Sequence, residues 1–184
     1  MNKLPVYKTE GIILKTGDFG ELDRLVVIYT KGYGKISARA ISVRKNVSKL
    51  KGLVQNFTRA NFLLAKSKTI DIVTDVEPID SYNFLHSSLR SLAYAFYFSE
   101  LVDKLIVGPE NDCDIWRLVA RAFEVLNQPG SNLPKIKEAF ERKLLEFLGY
   151  QDLRVAKTRL NFIQSLADGE IKSLKFLKQL RLEK

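Results

Sequence analysis

The sequence predicts an α+β chain: a closed barrel of five strands over residues 1–78, followed by an all-α helical bundle over residues 79–184. Short apolar runs rich in β-branched and aromatic residues, separated by turn signals, fill the first part. The pattern changes near Glu77-Pro78, and beyond it apolar residues recur at helical spacing. At 46% hydrophobic and 28% charged, the 184 residues carry enough apolar material for a core and do not have a disordered composition.

The strands follow in order. Thr9 to Lys15 holds the compact run Ile12-Ile13-Leu14. Asp23 to Thr30 holds Leu25, Val26, Val27, Ile28 and Tyr29 and stops at the turn Lys31-Gly32-Tyr33-Gly34. Lys35 to Val43 alternates, with Ile36, Ala38 and Ala40, and Ser42 in the same register, on one face. Val54 to Ala65 and Thr69 to Val76 make the last two strands, with Lys66-Ser67-Lys68 as a hairpin link. Five strands with no strong helix between them suit either an OB-fold or an SH3-like barrel, and periodicity does not separate the two.

The helices begin at Asp80 or Ser81, read as a cap. Leu85, Leu89, Leu92, Phe96, Leu101 and Leu105 form one broad stripe, and Gly108-Pro109 stops it. A second helix spans Asp112 to Asn127, its early Asp112 and Asp114 complementing the helix dipole. A third spans Leu133 to Leu148, with Pro134 in its first turn and Gly149 beyond its end. A last helical stretch covers Asp168 to Leu182.

Charge is unevenly placed. The formal net charge of +9 favours a polyanionic partner: DNA, RNA or an acidic membrane surface. Residues 1–80 carry +6, residues 81–153 carry −2, and residues 154–184 carry +5. From Lys31 to Lys68 there are ten basic residues and no acidic one, where about four acids would be expected at this composition. The polar segment Arg44 to Gly52 reads as a loop or short helix that projects its cations toward a phosphate backbone. The expected DNA contacts are Arg24, Lys35, Arg39, Arg44, Lys45, Lys49, Lys51 and Arg59. Single-strand binders also stack bases on exposed aromatics. Phe19, Tyr33 and Phe57 lie near turns or strand starts and are the stacking candidates, whereas Tyr29 and Phe62 read as core.

Catalytic signatures are absent: no Walker A loop, no G-x-G-x-x-G and no G-x-S-x-G stands in the chain. His86 and Cys113 are the single residues of their kinds, so neither a disulfide nor a four-ligand zinc site of the usual type can be assembled. One thiol suits a reducing cytosol. No secretory signal or membrane-spanning run is visible. Asp71 and Asp75 read as solvated strand residues. The expectation is a non-enzyme without catalytic residues, metal or cofactor.

The order of motifs carries a resemblance. Tyr7 to Lys15, then Gly20-Glu21-Leu22-Asp23-Arg24-Leu25-Val26, then Tyr33 to Ala38, resembles the N-terminal domain of the RecO DNA-repair family. The Arg44 to Lys51 stretch, Gln55-Asn56-Phe57 and the Asp80-Ser81 helix entry fit the same register. Leu92 to Ala95, Glu100 to Leu105 and Leu144 to Tyr150 extend the resemblance, which covers roughly residues 4 to 150. It implies an OB-fold followed by a helical domain. It also implies binding of single- and double-stranded DNA, and annealing of complementary strands. The partners it implies are RecR, the single-strand-binding protein and, indirectly, RecA. The place is the cytoplasm, at the nucleoid. Annealing needs charge neutralisation and base access rather than a catalyst. Many members carry a four-cysteine zinc module after the Leu-Gly-Tyr segment; this chain has no cysteine there, so no zinc is expected. The chain is also short for the family, and its basic residues 154–184 are read as replacing part of that region or finishing the bundle.

Two other readings share these observations. An RNA-binding OB-like protein of translation or RNA processing fits the same electrostatics. A helical interaction scaffold would use Leu101, Leu105, Leu144 and Phe147 as a groove lining, although these also suit core packing.

Overall fold

In the computed structural model, residues 5–45, 48–150 and 156–180 are described. Asn46 and Val47 of the basic loop, and Leu182 at the end of the last expected helix, lie outside them. The chain forms two compact units. The first comprises Met1–Ser81 and Gly108–Asp112, the second Tyr82–Val107 and Cys113–Lys184.

Five strands build the first unit: β1 (Val6–Phe19), β2 (Asp23–Thr30), β3 (Gly34–Ala40), β4 (Arg59–Ala65) and β5 (Asp71–Asp80). They close in the order β1-β2-β3-β5-β4, with β4 returning to β1. The β3–β5 pairing is parallel and the other pairings are antiparallel. This is the OB-fold among the two barrels the sequence allowed. Closure depends on the length of β1. Its residues Gly11–Phe19 pair with β2, while Val6–Ile12 pair with β4. The register slips between Ile13 and Lys15, a bulge that increases local twist. It also lets Ile12, Ile13 and Leu14 all be buried.

Inside the barrel lie Ile13, Val26, Ile28, Ala38, Ala40, Phe62, Leu64, Val73 and Val76. The connection from β3 to β4 contributes as well. Val43 and Val54 belong to the core cluster, and Leu50 and Leu53 pack against it. The basic segment is therefore a plug, with apolar residues inserted into the barrel. This is why β4 starts at Arg59 rather than at the expected Val54. At β3 the chain turns through Gly34, whose φ is +62°. A Cβ there would meet the Glu110 carbonyl oxygen at 2.1 Å, so that backbone approach requires glycine.

The second unit holds α1 (Asn83–Ser87), α2 (Leu89–Leu105), α3 (Cys113–Leu126), α4 (Leu133–Phe147), α5 (Ala156–Leu166) and α6 (Lys172–Gln179). Two expectations are corrected here. The first helix is not continuous, because Ser88 is extended and its side chain accepts from Ser91 N–H as the cap of α2. Nor do Asp80 or Ser81 cap α1: the N-cap is Tyr82 in the left-handed region, with no side-chain cap. The α2–α4 core includes Phe98 stacked on Phe140 at 4.2 Å. Leu101 and Leu144 are fully buried, so they pack this core rather than line an open groove. α5 was not expected from the sequence. It brings Arg159, 1% exposed, onto Glu141 of α4 at 3.0 Å. Glu141 also accepts from the Tyr97 hydroxyl at 2.7 Å and pairs with Lys137 at 2.9 Å.

Candidate nucleic-acid interface

Strand alternation sorts the barrel residues into two faces. Val26, Ile28, Ala38 and Ala40 point inward, so Leu25, Val27, Ser37 and Arg39 point outward. Ladder pairing extends these rows onto β1. Gly17, Leu25 and Arg39 form one row, and Lys15, Val27 and Ser37 the next. The outer face of β2 and β3, with the β1–β2 and β4–β5 loops, is the surface on which OB-folds take oligonucleotides.

Phe19, at the end of β1, is 37% exposed. The Arg39 guanidinium lies 5.0 Å from its ring centre, a cation–π arrangement. Arg39 Nε donates to Asp23 Oδ2 at 2.6 Å, and Nη2 lies 2.5 Å from the same oxygen. Asp23 also accepts from Ser42 N–H at 2.6 Å. That backbone bond, then the bond from Arg39, holds its carboxyl below the usual carboxylate range. Nearby, Arg44 pairs with Asp18 at 3.2 Å, and its N–H donates to the Leu22 carbonyl at 3.0 Å. These contacts tie the plug's entry to the β1–β2 loop.

The other expected contacts divide into three groups. Lys45, Lys49 and Lys51 are exposed on the plug. Lys35 is half-buried on β3, opposite Tyr29. Two arginines are engaged within the fold. Arg24 donates to the Val54 carbonyl at 3.1 Å, holding the plug against β2. Arg59 donates to Glu10 at 2.7 Å and is only partly exposed. Glu10 lies far upstream in sequence, so an acid-free window did not reveal this partner.

Among the aromatics, Phe57 corrects the expectation. It is 0% exposed, because its N–H donates to the Ile13 carbonyl at 2.7 Å and continues the β1–β4 seam inward. A ring there is core, not a stacking platform. Tyr33 is 43% exposed and packs on Tyr7, with ring centres 4.6 Å apart. Tyr7 in turn donates to Asp71. Burial and that bond raise the Tyr7 hydroxyl far above the ordinary tyrosine range. Asp71 also accepts from Ser67 N–H at 3.0 Å, so it fixes the β4–β5 loop rather than standing solvated. Phe62 is buried in the barrel core, whereas Tyr29 is 0% exposed although it continues the outward row of Leu25 and Val27.

Among the described residues, no group of three or more His, Cys, Asp or Glu side chains gathers as a metal site. Cys113 is an exposed single thiol. No described helix is long and apolar enough to cross a membrane.

Two family models match in tandem: "Recombination protein O N terminal" over residues 1–82 and "Recombination protein O C terminal" over residues 86–152. The chain belongs to the RecO family. Relatives named "DNA repair protein RecO" include that of Pelotomaculum thermopropionicum, 34% identical over 147 residues, covering 80% of this chain and 57% of that protein. That of Alkaliphilus metalliredigens is 34% identical over 142 residues, 77% of this chain and 58% of the relative. That of Roseiflexus sp. is 35% identical over 147 residues, 79% of this chain and 51% of the relative. The chain thus spans little more than half the length of these RecO proteins.

Within this RecO N-terminal module, three exposed lysines adjoin the OB face beyond the eight expected cations. Lys15 shares the row of Val27 and Ser37, and Lys66 and Lys68 flank the β4–β5 loop. Strand register, rather than local charge density, identifies Lys15. Placing it required knowing where β1 bulges.

Proposed function

We propose that the chain is a DNA-binding recombination mediator that binds and anneals DNA strands and assists recombinase loading in recombinational repair. One observation carries the reading. Lys45, Lys49 and Lys51 stand exposed on a plug anchored by Val43, Leu50, Leu53 and Val54. The RecO membership and the relatives' name support DNA as the nucleic acid.

The mechanism is binding without covalent chemistry. Each exposed lysine or arginine neutralises a phosphate and releases condensed counterions. Neutralisation lowers the repulsion between two strands brought together. Phe19 and Tyr33 offer ring faces on which unpaired bases can stack, each stack contributing about 1–3 kcal/mol. Lys35, Arg39 and Arg44 complete the contact set, while Arg24 and Arg59 act through the fold they hold. On this reading the partners are single- and double-stranded DNA, RecR and the single-strand-binding protein, with RecA loaded indirectly, at the nucleoid.

The test is annealing of complementary labelled strands, bare and precoated with single-strand-binding protein. The chain should accelerate annealing in both settings, and K45A/K49A/K51A should lose at least tenfold of the acceleration. No acceleration over the spontaneous rate sinks the proposal. An RNA competitor of equal sequence that displaces DNA at lower concentration would favour an RNA-directed role.

A further inference from the structure

We infer that α6 of the helical unit presents a second phosphate-binding surface, taking the backbone of another nucleic-acid strand. The identity of that occupant rests on the function proposed for the barrel; the surface itself does not.

α6 buries Ser173, Leu174 and Leu177 and exposes Lys172, Lys175 and Lys178. The lysines recur at i, i+3 and i+6, so neighbours lie about 4.5 Å apart along the axis. Helix physics does not account for this pattern. The first turn of a helix favours acidic residues, because its N–H groups carry partial positive charge. Here Lys172 occupies that first turn, and no acidic residue stands in it. Lysines at i and i+3 also repel each other along the ridge. Lys178, in the last turn, alone suits the dipole.

The fold compensates from outside the helix. Ile171, the N-cap, supplies no side-chain bond. Glu100 of α2 does so instead, accepting from Lys172 N–H at 2.9 Å, Ser173 N–H at 2.8 Å and the Ser173 hydroxyl at 2.6 Å. Both Glu100 oxygens are thereby committed to backbone and hydroxyl donors. Glu170 pairs with Lys175 at 2.8 Å, both side chains well exposed, where salt and a phosphate compete readily. A ridge that breaks local helix rules, yet is pinned in place by a borrowed cap, is the pattern expected of a functional surface. Charge complementarity selects a polyanion. The i, i+3, i+6 repeat offers several point charges to successive phosphates.

The test uses the full chain and K172Q/K175Q/K178Q, which retains helix-forming residues and the buried leucines. Circular dichroism and the melting temperature check that α6 is still folded. An immobilised strand is loaded with protein, and capture of a second, non-complementary labelled strand is measured. The variant should bind the first strand within about twofold of wild type through the barrel but lose at least tenfold of second-strand capture. Second-strand capture within twofold of wild type, in a folded variant, overturns the inference and leaves the barrel reading intact. A loss of polyglutamate binding with unchanged strand capture assigns the ridge to an acidic protein and also overturns it. If K45A/K49A/K51A binds the first strand normally while the α6 variant does not, the barrel reading fails and the ridge stands.

Discussion

Replacing Glu141 by Ala should lower the stability of the helical unit sharply. Glu141 is 1% exposed and is the common partner of the Tyr97 hydroxyl at 2.7 Å, Lys137 at 2.9 Å and Arg159 at 3.0 Å. Its removal leaves two cations in the interior; Arg159 keeps Glu138 at 3.6 Å, a longer and more exposed pairing. Breaking a buried ion pair by deleting one partner costs about 3–5 kcal/mol. For a chain of this size, each kcal/mol lowers the midpoint by about 2–4 °C. The expected fall is therefore about 6–20 °C. Trp116 is the one tryptophan and is buried in α3, so its emission reports on this unit. The apolar replacement K137M/E141L/R159M removes the three buried charges together, leaving only the exposed Glu138, and should melt within a few degrees of wild type or above it. A Glu141→Ala midpoint within about 2 °C of wild type would refute the reasoning. So would a triple replacement that melts lower than the single one.

Two further outcomes follow from the barrel. Gly34→Ala should destabilise it, by about 1–2 kcal/mol for the left-handed backbone alone and more for the approach to Glu110, read by urea unfolding under near-ultraviolet dichroism; an unchanged midpoint would mean that the turn relaxes freely. Asp23 has a depressed pKa in the fold, so its contribution is present above the unfolded value near 3.8 and is lost as pH falls through the folded one. Asp23→Asn should therefore be less stable than wild type at pH 7, with the gap closing below about pH 4; an equal gap at pH 7 and pH 3 would contradict the ion pair with Arg39.

The barrel was legible because its strands alternate and its turns are marked. Asp23 to Thr30 is an unbroken β-branched and aromatic run bounded by Gly20 and Gly32, and its limits coincide with β2. What escaped was long-range partnership. Phe57 sits beside polar Gln55 and Asn56, and only its backbone bond to Ile13 turns it inward. Arg24 and Arg59 look like free cations until Val54 and Glu10 are brought to them by the fold. In the second unit, the Ser88 cap was written in the sequence as Ser-Leu-Arg-Ser, but a continuous apolar stripe masked the break. α5 was hidden for a different reason. Its buried face is led by Arg159, a charge that no hydrophobic period would place in a core.

The central claim is that exposed cations on the plug bind a phosphate backbone. It is tested most directly by the affinity for a single strand as salt is raised. About six contacts, from Lys35, Lys45, Lys49, Lys51, Arg39 and Arg44, predict a log–log slope near −4. In K45A/K49A/K51A the slope should become shallower by about 2, with affinity lower throughout. A flat salt dependence in the wild-type chain, or an unchanged slope in the triple variant, would contradict the account.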